Sequence, residues 1–358
     1  MRKAEQYALE LAAALPTLID ETMTKLYRRR PEMKARYGEA GRQRCREDIA
    51  YHYGTVVEAV YAADANILLK YVAWGKSVLI NRKVRTDDLI DCLLIMQDVV
   101  AKHVSEAAAE MANDYLGLTV ETFESFADTP PSCIDPSSSL SNLTNSYLEA
   151  LLSTDRDQAR KVLESAQRSG LTMTDIYQHV FQPAQREVGR LWQVNHISVA
   201  QEHYCTATTE MMMSEVHAQQ RRSPTDGHLF VAACVAGEQH SIGVRMVSEV
   251  MESNGWRTYL TGANTPTSSL VDLVNRFDVG ILGISCATTM YLGAVRQLMQ
   301  AIRACQKPTR IMVGGRVFCE FPGLWKRIGA DGYAEDADSA VRVANKLIGT
   351  AKTAEIRS

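Results

Sequence analysis

Apolar positions recur at helical spacing through the first third of the chain. Leu11, Leu15, Leu18, Ile19, Met23 and Leu26 form one stripe; Ile49, Tyr53, Val56, Val57, Val60 and Tyr61 form a second. Asp64 opens a third segment through Ile67, Leu68, Tyr71, Val72, Val78 and Leu79. Thr86-Asp87-Asp88-Leu89 reads as a helix start with acidic residues at the positive end of the dipole, and leads into Leu93, Leu94, Met96, Val99 and Val100. No strand pattern interrupts this region, so residues 1–126 are expected to form an all-α domain. The Pro- and Ser-rich stretch ADTPPSCIDPSSSLS, 127–141, reads as a linker.

Helical periodicity returns over 142–222, where punctuation predicts a four-helix bundle. Gly170 ends one helix, Thr172 or Thr174 caps the next, and Pro183 kinks or restarts it. Ser198 caps the last, with Gln201 completing a capping box. From 226 to 352 the pattern changes to short apolar runs alternating with helices. The runs HLFVAACVAG, WRTYLTG, DVGILGIS, TRIMVGG and DGYA predict five strands, and their alternation with helices predicts a Rossmann-like, doubly wound parallel sheet. Ligands in such sheets lie beyond the carboxyl ends of the strands. Three loops fall there: Gly237 to Gly243, Ser285 to Thr289, and Gly314-Gly315.

Composition narrows the class without naming it. The chain has 358 residues, 46% hydrophobic and 23% charged, with a net charge of -3, which gives no reason to expect nucleic acid or a membrane surface as partner. Arg28-Arg29-Arg30 reads as a solvated helix end. Eight cysteines occur without a CxxC pair, against a zinc or dithiol motif and in keeping with a reduced, cytoplasmic setting. The N-terminal MRKAEQYALELAAAL is amphipathic, unlike a signal peptide, and no stretch is apolar for long enough to span a bilayer.

The sharpest chemistry is His240, in the first strand-to-helix loop. A loop histidine can bind a metal through one ring nitrogen while a carboxylate fixes the other, and Glu238 stands two residues before it. Gly237 and Gly243 flank it and leave space for a bulky ligand; Ser285 and Gly314-Gly315 face the same crevice. With these residues, 142–350 resembles the cobalamin-binding module, a helical cap followed by a Rossmann-like domain. The acidic-x-His-x-x-Gly signature stands here as Glu238, His240 and Gly243, with Ser285 and Gly314-Gly315 in the later loops. The resemblance implies that His240 is the lower cobalt ligand, and that the nucleotide tail threads past Ser285, Thr289 and Gly314-Gly315. Methyl carriers and mutases of the family usually have Asp where this chain has Glu238.

Glu238 instead resembles the CarH-type light-dependent repressors, which bind adenosylcobalamin. Trp192, followed after nine residues by Glu202-His203, matches the cap of that branch. The implied roles are Trp192 over the adenosyl group, Glu202 bonded to adenosine, and His203 as a polar wall. Two departures stand out. Gln193 replaces the cap histidine that takes the upper cobalt face after light, leaving His196 and His203 as nearby substitutes, and no winged-helix DNA-binding pattern is present.

The helical pattern of 1–126 resembles haem-free, globin-like sensor domains, and its fusion to a photoreceptor-type module resembles the photocobilins, which hold biliverdin beside adenosylcobalamin. A linear tetrapyrrole wants an apolar slot, an aromatic wall and basic or hydroxyl groups. Tyr51, His52, Tyr53, Trp74, Lys76, Arg82 and His103 offer these, with His52, Trp74 and His103 the foremost candidates. A lone helical histidine is also commonly a surface or core residue, and either His52 or His103 suits a haem as well. Neither Cys45 nor Cys92 carries a motif for covalent attachment, so a bilin is expected to bind non-covalently.

The expected function is therefore a light sensor rather than an enzyme: a homo-oligomer, such as a dimer, whose assembly follows light. The tail TAEIRS after residue 352 is too short for an output domain, so the chain is expected either to act through an unidentified downstream effector or to be a fragment of a longer protein. The rivals are a corrinoid carrier for a methyltransferase and a haem- or cobalamin-based redox or gas sensor.

Overall fold

The computed structural model describes residues 2–220, 224–225 and 227–355, with the side chains of residue 2 and of 350–355 outside the description. The expected domain limits at 222 and 226, and the end of the tail, lie outside the described residues. The chain divides into two compact units, Met1–Pro130 and Pro131–Ser358.

The first unit is all helical among its described residues. Its helices are α1 (Arg2–Arg29), α2 (Glu32–Ala62), α3 (Asn66–Asn81), α4 (Asp87–His103) and α5 (Glu106–Thr122). Gly38, at φ 62°, breaks α2 near its start. Leu11, Leu18, Tyr53, Val56, Val60, Ile67, Leu68, Leu93 and Met96 fill the core, so the helical stripes face inward. The arginine run is not simply solvated. Arg29 and Arg30 both reach Asp91, which is buried on α4, because an anion placed there requires a cation.

The second unit opens with the back half of the expected linker. Those residues are not a free spacer. Glu187, itself buried, accepts hydrogen bonds from the Cys133 amide (2.7 Å) and the Ser132 hydroxyl (3.2 Å), and Ile134 enters the helical core. The helical layer follows as α6 (Ser141–Leu152), α7 (Arg156–Arg168), α8 (Met173–Ile176), α9 (Gln182–Gln193) and α10 (Val199–Ala218). Thr172 with Asp175, and Ser198 with Gln201, form reciprocal capping boxes. Ahead of Pro183 the chain widens into a π-turn, Tyr177–Phe181, which accommodates the missing proline N–H without breaking the rod.

The α/β layer runs β1 (Leu229–Val235), α11 (Ile242–Ser253), β2 (Arg257–Thr265), α12 (Thr267–Arg276), β3 (Val279–Ser285), α13 (Leu292–Ala304), β4 (Arg310–Gly314), α14 (Arg316–Glu320), α15 (Leu324–Arg327), β5 (Gly332–Tyr333) and α16 (Ala337–Glu355). All five strands are parallel, in the order β2-β1-β3-β4-β5. Every residue of β1 is buried, as a strand covered on both faces must be, whereas β2 is a half-exposed edge. The strand order reverses between β1 and β3, so the loops after these strands flank a crevice. Cys234, Ser285 and Gly314 align across β1, β3 and β4, which brings the three expected loops to one level.

A chain of polar contacts, buried at Tyr177 and reaching the surface at Ser214, joins the helical layer to α11. The Tyr177 hydroxyl donates to Glu249, whose other oxygen takes Arg245 Nε (2.7 Å), while Arg245 Nη2 donates to Ser214 on α10 (2.7 Å).

Gly315 is required by backbone approach. Its φ is +95°, and a Cβ there would lie 2.5 Å from the Cys286 carbonyl oxygen and 2.9 Å from its amide nitrogen. Gly315→Ala should therefore destabilise the α/β layer by roughly 2–4 kcal/mol, from positive φ and a clash that no rotamer relieves. Denaturant unfolding checks this, and a loss below roughly 0.5 kcal/mol, the scale of a neutral surface change, would contradict it.

Candidate cofactor site

The site is organised by a carboxylate with no solvent exposure. Glu238 Oε1 accepts from the His240 ring nitrogen Nδ1 (2.5 Å) and from the His240 amide (3.1 Å). Its other oxygen, Oε2, accepts from the amides of Ala287 (2.8 Å) and Thr288 (3.3 Å), in the loop after β3. Burial by itself pushes the Glu238 carboxyl up, but the His240 ring, through its hydrogen bond and charge, and the Ala287 and His240 amides outweigh it and hold the group below the usual carboxylate range. The hydrogen bond to Glu238 raises His240 above an ordinary imidazole, against the opposing effect of burial. Glu202 raises it further and Arg316 lowers it, so both lie within electrostatic reach of the ring. With Nδ1 engaged by Glu238 and the side chain 64% exposed, Nε2 is the His240 ring nitrogen left for a ligand.

The surrounding loops serve different ends. A Cβ on Gly243 would meet nothing within 4 Å, so this glycine leaves space beside His240. Gly237 does not serve that purpose. It has φ +87°, and a Cβ there would lie 2.6 Å from the Tyr291 ring. Gly314-Gly315 likewise answers to protein packing, Gly314 against the Ala334 carbonyl and Gly315 against Cys286. Ser285, buried, ends β3, and Thr289 opens a single 3-10 turn before α13. The buried Thr288 hydroxyl beside them has no hydrogen-bond partner, a polar group suited to a ligand atom. Among the described residues no three His, Cys, Asp or Glu side chains gather as metal ligands. One outward imidazole beside open space fits a metal that brings most of its own ligands, as a cobalt corrinoid does.

Trp192 is the penultimate residue of α9, half-buried and packed against the helical core, with Gln193 after it. Glu202 lies in the first turn of α10, where it accepts from Thr206 (2.9 Å) and pairs with His203 Nδ1 (2.6 Å). The structure thus brings Glu202 toward His240, while His203 points largely to solvent, its side chain 75% exposed. His196 is exposed in the turn before α10. Three residues that carry no recognised motif also belong to this region: Asn264, Tyr291 and Arg316. Asn264 could have been noticed, since asparagine in a Gly-Ala-Asn-Thr-Pro turn favours a left-handed backbone, and it has φ 48° here.

In the first unit, His52 Nδ1 meets the Tyr71 hydroxyl at 2.8 Å, and the Tyr71 ring lies 6.2 Å from the half-exposed Trp74. His103 is engaged elsewhere, with Glu21 at 2.6 Å. Two of the wider candidates serve the fold instead. Tyr53 is buried and bonded to Thr22 (2.7 Å), and Lys76 is buried and donates to the carbonyls of Phe123, Glu124 and Phe126. Burial pushes the Cys45 thiol up to about 12, opposing ready thioether chemistry.

Comparison with known proteins agrees with this geometry. Residues 143–216 and 229–342 each match a family described as B12 binding domain, and residues 3–122 match one described as Phycobilisome protein. Both stretches similar to B12 binding domains lie in the second unit. Dimethylamine corrinoid protein 1 of Methanosarcina mazei is 24% identical over 208 residues, 56% of this chain and 93% of that protein. The HTH-type transcriptional repressor CarA of Myxococcus xanthus is 25% identical over 195 residues, 53% of this chain and 64% of that one. The monomethylamine corrinoid protein of Methanosarcina barkeri shares the fold, with TM-score 0.52 and 19% identity over 58% of this chain and all of that one. Among the described residues no helix is long and apolar enough to cross a membrane.

Desolvation lowers His52 from 6.5 to about 4. Its folded value lies below its unfolded one, so the unfolded chain binds the extra proton and stability falls as pH drops from 6.5 toward 4. In a histidine-ring NMR titration of the whole chain, the resonance that His52→Gln removes should have its midpoint near 4. A midpoint at the ordinary imidazole value, about 6.5, would contradict this burial.

Proposed function

We propose that this chain is a light sensor that binds adenosylcobalamin through His240 and biliverdin in its N-terminal unit. The observation that carries the reading is the Glu238–His240 pair, with Nδ1 held at 2.5 Å on a side chain that is 64% exposed, which leaves Nε2 as the ring nitrogen not engaged by Glu238. Glu238 fixes the tautomer and increases the donor strength of the imidazole, as carboxylates do behind metal-bound histidines. When bound, adenosylcobalamin supplies a cobalt–carbon bond that visible light breaks. Bound there, the group would be held by His240, with Ser285, Thr289 and Gly314-Gly315 bordering its nucleotide tail and Trp192, Glu202 and His203 contributing to the adenosyl pocket. Trp192 and Glu202 sit on α9 and α10, so a ligand they contact in one state only biases the packing of those helices. The output is a change in cap packing or in a homodimeric assembly. The chain performs no turnover of its own in this scheme.

Three features support the photoreceptor branch: glutamate at 238, the spacing of Trp192 to Glu202-His203, and the similarity to the repressor CarA. The match of residues 3–122 to Phycobilisome protein supports a globin-like, bilin-holding first unit, with His52 and Trp74 on its ligand wall. A second reading, a corrinoid carrier in a methyltransferase system, is favoured by similarity spanning 93% of a dimethylamine corrinoid protein.

The test loads the full chain with adenosylcobalamin in the dark and follows its spectrum and light-scattering mass under green light. The expected result is a changed spectrum together with a changed mass or elution volume. Unchanged values for both would overturn the sensor reading, and methyl uptake from a methylated donor would favour the carrier. Production alongside a biliverdin source should add a red absorbance band that His52→Ala shifts or removes. Absence of that band in the wild-type chain would overturn the bilin assignment.

A further inference from the structure

We propose that Asn264, at the end of the neighbouring strand β2, is the positioning residue that sets the His240 loop for metal ligation. This rests on the reading of His240 as the axial ligand. Asn264 makes two bonds to the backbone just ahead of that histidine. Its side-chain oxygen Oδ1 accepts from the Gly237 amide at 2.7 Å, and its own amide donates to the Glu238 carbonyl at 2.8 Å. Consecutive residues of the ligand loop are therefore fastened to one residue of another strand.

The end of β2 is shaped to deliver this contact. Pairing with β1 runs in step from Leu229↔Arg257 to Ala232↔Leu260, then slips by one residue before Ala233↔Gly262 and again before Val235↔Thr265. Such bulges bend a strand and re-aim its side chains, and are common beside functional sites. Asn264 lies within the second slip at φ 48°, a left-handed conformation that asparagine tolerates better than most side chains. A non-glycine residue held there marks a backbone shaped by its surroundings. The opposite side of the loop is fixed by Glu238 Oε2 on the amides of Ala287 and Thr288. The carboxylate that orients His240 is thus suspended between the ends of β2 and β3. Removing the Asn264 acceptor leaves the Gly237 amide without this bond, at a glycine whose φ of +87° lies where side-chain-bearing residues seldom go and where the chain has the widest choice of alternative conformations.

The test uses the full chain containing histidine labelled with the heavy nitrogen isotope, loaded with cob(II)alamin and read by electron paramagnetic resonance. Ligation by the labelled imidazole gives two-line splitting, whereas the cofactor's own unlabelled base gives three-line splitting. Asn264→Gly keeps the left-handed backbone but loses the acceptor. It should bind about tenfold more weakly, the scale of one lost hydrogen bond, and show three-line signal at saturation. Asn264→Asp keeps an acceptor and should restore the two-line pattern and wild-type affinity. Circular dichroism verifies that both variants remain folded. Wild-type affinity and a pure two-line signal in Asn264→Gly would overturn the proposal, as would an Asn264→Asp variant that behaves like it. A wild-type protein without two-line splitting would instead reject His240 as the ligand, and this inference with it.

Discussion

A fully buried carboxylate governs the arrangement of the second unit. An anion at the Glu238 position must be compensated, and its partners are an imidazole and backbone amides from two different loops. These partners can be supplied only where β1 and β3 lie side by side and their loops leave the sheet at one level. The strand order therefore does more than build a core, because it places a loop carboxylate where it can hold a histidine and a neighbouring backbone together. Tight packing beneath this point follows from the same demand. Gly315 must lie against Cys286 for the loop after β3 to present the amides of Ala287 and Thr288.

The helical layer is coupled to this centre by chemistry distinct from the site itself. α11 begins two residues after His240, and its Glu249 and Arg245 bond to Tyr177 in the π-turn and to Ser214 on α10. A shift of the cap is therefore felt by the helix that follows the ligand loop. On its other side, α9 holds the entry segment through Glu187 and also carries Trp192. A protein that reports the state of a bound group needs such connections, since a population shift is no larger than the difference in contacts between two states.

Much of the fold was legible because periodicity is a direct imprint of burial. The change from helical stripes to five short apolar runs located every strand, and Ser198 with Gln201 located a helix start through capping chemistry. The Glu238–His240 pair was legible because its members are two residues apart. Interactions between distant segments were not. Lys76 looked like an anion ligand but binds carbonyls just beyond α5, and Arg29 and Arg30 looked solvated but balance Asp91. Half the apparent linker is docked through Ile134 and Glu187. The glycines were recognised as necessary, yet only packing distinguishes Gly243, which leaves space, from Gly237 and Gly315, which relieve contacts within the protein. Asn264 carried a turn signal but nothing to indicate which loop it would bind.

The central claim is that one imidazole, oriented by Glu238, ligates the metal of a corrinoid. It is tested most directly by comparing cobalamin bound to the wild-type chain and to His240→Ala, by absorption spectroscopy at matched saturation. The account predicts a wild-type spectrum of histidine-ligated cobalamin and a variant that binds weakly or gives a different, histidine-free spectrum. Identical spectra and affinities for the two proteins would contradict it.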